Sequence, residues 1–137
     1  MVDPIIIGIG IDLVKSDRVK SAVEKWDKRF LNRVFTPSEQ DYAFAHKIPY
    51  LHLAGRFAVK EAVLKALGTG WGGGIRWNEI SVVNEPADGP NQSIAGKPRV
   101  EVSGKVKKLM DERGVKEIQV SISHDTDYSI AQVVLIG

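Results

Sequence analysis

The alternation of apolar and polar positions divides the chain into short elements. Residues 5–12, IIIGIGID, read as an apolar strand whose alternating side carries Gly8, Gly10 and Asp12. Glycine inside a strand gives up packing and backbone entropy, so it marks a bulge or a close approach by something else. A carboxylate beside such a stripe needs a partner. Val14, Val19, Ala22, Val23, Trp26 and Phe30 recur at three- and four-residue steps, which predicts one amphipathic helix over most of Lys15 to Arg33. TPSEQDY starts a second helix, with Thr36 as N-cap, Pro37 in the first position and Glu39 three residues after the cap. That helix ends before Pro49. A longer one runs from about Leu51 to Leu67 and stops at Gly68.

Beyond it, the glycine loop WGGGIRW leads into a strand near Asn78 to Asn84, and EPADGPNQSIAGKP is loop or turn. Pro98 to Val102 reads as a strand and Lys105 to Glu112 as a helix ending at Gly114. KEIQVSISH and YSIAQVVLI are strands joined across DTD, a hairpin signal. This order predicts an α+β fold with a small, mostly antiparallel sheet packed against the long central helix.

Composition narrows the function classes. A length of 137 residues suits one domain, residues 1–137, with a modest core. Hydrophobic residues make up 43% and charged residues 26% of the chain, the balance of a soluble globular protein. No stretch has the length of a membrane span, and the apolar run from Ile5 lacks the flanks of a signal peptide. The chain has no cysteine, which excludes disulfide scaffolds, thiolate zinc sites and cysteine nucleophiles and fits a cytoplasmic location. A net charge of +2 is too small to imply nucleic-acid binding from bulk charge.

The placement of charge says more. Lys15, Arg18, Lys20, Lys25, Lys28, Arg29 and Arg33 stand against Asp17, Glu24 and Asp27 in the first helical region. The basic face is either a solvated surface or a docking site for an acidic partner.

The central helix, LAGRFAVKEAVLKALGTG, lacks an ordinary polar face. Leu53, Phe57, Lys60, Val63, Leu64 and Leu67 fall on one side, with the stem of Lys60 lying along the core. Ala54, Ala58, Glu61, Ala62 and Lys65 fall on the other. An i,i+4 pair would account for Glu61 and Lys65, but not for the small residues around them. Bringing the Gly8–Gly10–Asp12 face against the Ala58–Glu61–Ala62 face places two carboxylates in a tight space, where they repel unless a cation lies between them. All-oxygen ligands point to Mg²⁺, with water and phosphate completing its shell. Lys65 could hold a phosphate as a point charge, and the loop GTGWGGG would let a polyanion approach the backbone. GIGIDL is not a dinucleotide-binding turn, because Leu13 occupies the place of the third glycine, and GxxxxGK[ST] is absent.

Two other classes compete. A small nucleic-acid-binding domain would use the basic helix, yet it should show aromatics among basic residues on a sheet face, and the strand faces are aliphatic. An oligomeric scaffold would treat the small residues as packing and the two acids as buried caps. His46 and His52 have no motif around them and read as structural. Ser121 and Ser123 lack a GxSxG elbow.

GIGID, FAVKEAVLKALGTG and GKP before a strand, in this order and spacing, resemble the 4′-phosphopantetheinyl transferases, most closely the short holo-acyl-carrier-protein synthase type. The resemblance runs from about Ile7 to Leu135, and VSISH matches that family's strand-end histidine motif. It implies transfer of the 4′-phosphopantetheine arm of coenzyme A to a serine of apo-acyl carrier protein, releasing adenosine 3′,5′-bisphosphate in support of fatty acid biosynthesis.

Residue by residue, the resemblance implies that Asp12 and Glu61 bind Mg²⁺ and that Lys65 contacts the coenzyme A phosphates. Gly68, Thr69 and Gly70 form the turn beside the nucleotide, while Arg56, His124 and Pro98 of GKP line the coenzyme A site. Arg18, Lys28, Arg29 and Arg33 dock the carrier's acidic helix. Asp12, Glu61, Lys65 and His124 are then the catalytic set. The serine proton passes to a metal-held water, to Glu61 or to His124, with the metal side favoured. Members of this type form homotrimers with the site at the subunit interface. One departure is EPADGPNQSIAG, between Glu85 and Gly96, which is longer than the family's usual turn before GKP.

Overall fold

The computed structural model describes residues 3–85 and 96–137. The glycine- and proline-rich loop predicted between Glu85 and Gly96 therefore lies almost entirely outside the described residues. Along the chain run β1 (Ile6–Lys15), α1 (Ser16–Trp26), α2 (Lys28–Val34), α3 (Pro37–Phe44), α4 (Pro49–Leu67), a 3₁₀ turn (Trp77–Glu79), β2 (Ile80–Asn84), β3 (Pro98–Val102), α5 (Gly104–Glu112), β4 (Glu117–Asp125) and β5 (Tyr128–Ile136). The α+β expectation holds. The strands form two antiparallel sheets, β1-β5-β4 and β2-β3, where one was expected.

The predicted first helix is two. Asp27 adopts φ 51° and ψ −131°, a conformation that no helix continues through. The turn redirects the chain so that Leu31, Val34 and Phe35 enter the core at 8%, 4% and 1% exposure. Trp26, assigned to the apolar face by periodicity, stands 52% exposed at the end of α1. Val14 belongs to β1. Burial of the α2 side chains outweighs continuity of one helix.

The second helix begins as its sequence specifies. The Thr36 hydroxyl accepts from the Glu39 amide while the Glu39 carboxylate accepts from the Thr36 amide, a reciprocal cap. Helix α4 opens at Pro49 and closes at Gly68, whose φ of 73° carries the chain out of the helix. It is buried nearly all round, with Leu53, Ala54, Ala58, Val59, Ala62 and Val63 fully buried. The three-stranded sheet covers one flank, and α3 and β2 cover another.

Lys60 departs from expectation. Its whole side chain, ammonium included, is buried, so it does not reach toward water. Nζ donates to Glu39 Oε1 at 2.8 Å, to the Trp77 carbonyl at 3.1 Å and to the Ile80 carbonyl at 2.5 Å, which satisfies its three protons. Glu39 Oε2 accepts the Val82 amide at 3.0 Å. This pair ties α3, α4, the 3₁₀ turn and β2 together. Burial pulls the Lys60 ammonium below its ordinary pKa, against the opposing pull of Glu39.

Gly8 and Gly10 face α4. A Cβ on either would fall inside the contact distance of a helix carbonyl oxygen, Ala66 for Gly8 and Ala62 for Gly10. The element approaching the strand is therefore the helix backbone itself. Gly10→Ala is expected to cost about 1–3 kcal/mol, the range for overpacking, read as a lower urea midpoint with unchanged slope. A midpoint equal to that of the parent would contradict this packing.

Candidate active site

Asp12 extends from β1 on the side that meets α4, and Lys65 reaches it from the last turn of that helix. Lys65 Nζ donates to Asp12 Oδ1 at 2.9 Å and to the Ile11 carbonyl at 3.1 Å. The Asp12 side chain is 16% exposed and that of Lys65 55%, so the ion pair sits at the surface and contributes little stability. The i,i+4 pair considered for Glu61 and Lys65 is not made. Instead, Glu61 Oε1 accepts the indole N–H of Trp71 at 3.1 Å.

The loop that brings Trp71 to Glu61 begins at Gly68, Thr69 and Gly70. These three are exposed, and Gly68 and Gly70 take positive φ with open space where a Cβ would point. The conformation needs glycine while leaving the backbone accessible.

Asp12 Oδ2 and Glu61 Oε2 have no protein partner among the described residues. Nor do three or more His, Cys, Asp or Glu side chains come together there as a metal cage. Two carboxylates with free oxygens fit Mg²⁺, which keeps water and phosphate in the rest of its shell. They do not suit a zinc site.

Arg56 and His124 form a second neighbourhood. Arg56 is 3% exposed; its Nη2 donates to Asn84 Oδ1 at 2.5 Å, and the guanidinium lies 3.9 Å from the centre of the Tyr42 ring. Its Nε has no partner. Asn84 pairs with Pro98 in the β2-β3 ladder, which brings the start of β3 to the same place. Ser129 Oγ donates to the Leu51 carbonyl at 2.9 Å and lies 2.7 Å from His124 Nδ1. A hydroxyl has one proton, so His124 Nδ1 is the donor and its Nε2 is left with a lone pair in the neutral ring. Gly55 makes room for this ring, because a Cβ there would come 2.8 Å from His124 Cε1.

Within one copy these two neighbourhoods are apart. Asp12 pairs with Ala131, and His124 with Ser129, on opposite edges of β5, which separates β1 from β4 by about 10 Å.

Arg18, on α1, and Lys28, Arg29 and Arg33, on α2, are all exposed. Arg18 borders a hollow of ≈ 140 Å³ with Val14, Val19, Ala22, Phe30 and Phe57. Arg29 and Arg33 border another of ≈ 360 Å³ with Trp26 and Phe30. The basic face thus has apolar hollows between its charges.

Sequence reasoning missed the groups that adjoin these sites. His46 and His52, read as merely structural, lie in a row with His124, with ring centres 4.1 and 5.3 Å apart. Tyr42, Asn84 and Trp71 were not singled out either. Only Trp71 left a signal, as a bulky indole inside a glycine loop.

The profile of the 4′-phosphopantetheinyl transferase superfamily matches residues 8–133. The holo-[acyl-carrier-protein] synthase of Protochlamydia amoebophila is 42% identical over 125 residues, covering 91% of this chain and 93% of that one. The crystal structure of the Neisseria meningitidis holo-[acyl-carrier-protein] synthase superposes with a TM-score of 0.81 at 31% identity, covering 96% of this chain and 98% of that one. That of the Helicobacter pylori enzyme, solved in complex with coenzyme A, gives 0.75 at 33% identity over 93% of this chain and 98% of that one.

The histidine row makes stability depend on pH. Burial first, then His46, His124 and Arg56, hold His52 at about 4, below its ordinary 6.5. Burial and Arg56 also lower His124. The unfolded chain therefore binds more protons than the folded one between about pH 6.5 and 4, and stability falls as pH falls through that window. His52→Phe should lose less stability than the parent between pH 7 and 5, measured by urea unfolding. Equal losses in the two proteins would exclude His52 as a source.

Proposed function

The chain belongs to the 4′-phosphopantetheinyl transferase superfamily, and from that membership we infer its reaction. It is a holo-[acyl-carrier-protein] synthase, transferring the 4′-phosphopantetheine group of coenzyme A to a serine of apo-acyl carrier protein and releasing adenosine 3′,5′-bisphosphate. The observation that supports the site assignment is the meeting of Asp12 and Lys65 where the glycine stripe of β1 packs on α4, with Glu61 one turn before Lys65 on the same helix.

In this reading Asp12 and Glu61 would hold Mg²⁺, which when bound would supply charge neutralisation at the pyrophosphate. Lys65 turns from Asp12 to a phosphate as a mobile positive charge, and the loop from Gly68 to Gly70 lets the nucleotide approach the backbone. The proton of the acceptor serine leaves toward the metal side, where Asp12 and Glu61 stand, rather than toward His124. Arg56 provides fixed positive charge in the second neighbourhood, where His124, neutral at pH 7, orients the ligand through Nε2 and Pro98 borders it. Arg18, Lys28, Arg29 and Arg33 steer the acidic carrier and dock it. The reaction serves fatty acid biosynthesis in the cytoplasm. No helix among the described residues is long and apolar enough to cross a membrane.

The separation of the two neighbourhoods supports a site shared between copies in a homotrimer. So does the outer face of the three-stranded sheet, where Ile6, Ile9, Ile11 and Leu13 are exposed by 64%, 56%, 53% and 57% and Ile130 by 37%. A contiguous apolar face of this kind marks an interface.

Incubation with coenzyme A, Mg²⁺ and an apo-carrier should add the phosphopantetheine mass to the carrier. No mass gain with any carrier would defeat the reading. Glu61→Gln should lower kcat at least about a hundredfold, more than a change outside the metal's own ligands, and Arg56→Gln should lower it about a hundredfold through loss of a fixed positive charge at the ligand. Co-expressed as mixed oligomers, the two should recover activity, since each supplies the group the other lacks. If the mixture stayed as inactive as its parents, the shared site would be wrong. Arg18→Ala should raise the KM for the carrier severalfold and leave kcat near the parent value; an unchanged KM would remove α1 from docking.

A further inference from the structure

Trp71 has no part in the reaction as derived above, yet it is the side chain that holds Glu61. It sits in a loop where Gly70, Gly73 and Gly74 all take positive φ, a backbone with little stiffness of its own. The indole is nevertheless anchored. Its ring lies 3.7 Å from that of Trp77, centre to centre, and Trp77 stacks on Phe57 at 4.9 Å and 28°. Phe57 stands one helical turn before Glu61 on α4, and residues four apart share a helix face. The contacts close a ring: α4 holds Phe57, Phe57 holds Trp77, Trp77 holds Trp71, and Trp71 Nε1 donates to Glu61 Oε1 at 3.1 Å.

A glutamate side chain is flexible, and a free carboxylate presents either oxygen in many orientations. Here one oxygen is engaged by a donor that can give only one hydrogen bond. That leaves Oε2 as the oxygen available to an ion or a proton. The same two indoles line a cavity of ≈ 460 Å³ with Arg33 and Arg76, so the wall that holds Glu61 is continuous with the α2 surface bearing Arg33.

We propose that Trp71 is a positioning residue for transfer, its indole N–H fixing Glu61 through Oε1 so that Oε2 stays free for the reaction. The role of Glu61 in transfer rests on the transferase reading; the Trp71–Glu61 contact can be tested without it.

The three tryptophans give three indole N–H resonances, assigned through Trp26→Phe, Trp71→Phe and Trp77→Phe. Glu61→Ala should move the Trp71 resonance and leave that of Trp26 in place. Trp71→Phe keeps an aromatic ring against Trp77 but removes the donor. It should lower kcat about tenfold, within the range for groups that orient a metal's ligands, and weaken Mg²⁺ binding in calorimetry by a similar factor. Its KM for coenzyme A should stay within about twofold of the parent, since only orientation of Glu61 is lost. A Trp71 resonance indifferent to Glu61→Ala, or a Trp71→Phe enzyme with parental kcat and Mg²⁺ affinity, would overturn the proposal. If Trp71→Phe failed to fold, the resonance assigned by the other two variants would decide. If the parent protein modified no carrier, the transferase reading would fall, while the resonance would still report whether Trp71 holds Glu61.

Discussion

The backbone of α4 lies directly on the backbone of β1, and the geometry of the site follows from that contact. Gly8 and Gly10 leave no side chain between the strand and the carbonyl groups of Ala66 and Ala62. Closer approach than ordinary side-chain packing brings the end of β1 level with the last turns of the helix. Asp12 then comes within hydrogen-bonding reach of Lys65, fifty-three positions away in sequence. A larger residue in either glycine position would push the helix outward and move Glu61 and Lys65 with it. The cost of glycine in a strand is thus a requirement of the site.

The opposite flank of α4 is held by a different force. Lys60 and Glu39 are both fully buried, and a buried ion pair adds little net stability over well-packed apolar residues. What it does here is geometric. Three acceptors on three segments surround one ammonium, and the two Glu39 oxygens accept backbone amides from Thr36, the cap of α3, and from Val82 of β2. Any rotation of α4 about its axis would strand that charge. Pressed against glycine on one side and pinned by a charge on the other, the helix presents Glu61 and Lys65 in one orientation.

Charge is handled differently in the two polar neighbourhoods. Lys65 is exposed and bound only to Asp12 and a carbonyl, so it can exchange partners at small cost. Arg56 is buried and held by Asn84 and the Tyr42 face, with the histidines beside it kept neutral by burial and by its own charge. The first arrangement suits a group that follows a moving phosphate, the second one that waits in place for a ligand. Neither could substitute for the other.

Much of this was legible along the chain because local rules produce it. The Thr36–Glu39 cap, the stop at Gly68, the final hairpin and the two small-residue stripes all depend on neighbours a few positions apart. The motifs around Asp12 and Glu61 carried the family in the same way. Other features depend on what distant segments do. The break at Asp27 exists because Leu31, Val34 and Phe35 have a core to enter. Lys60 is buried because Glu39 and two carbonyls from the segment after α4 meet it. Lys65 pairs with Asp12 and the Ile11 carbonyl of β1, and Glu61 with Trp71, because the packing of α4 on β1 and of the loop on α4 brings those partners in from far along the chain. The histidine row and the Phe57–Trp77–Trp71 wall join residues with no shared periodicity. Sequence by itself determined which elements form and which chemistry they carry, since propensity, capping and spacing act locally. Only the tertiary structure decided which polar group each charge would face, since that partnership is settled by packing between segments far apart in the chain.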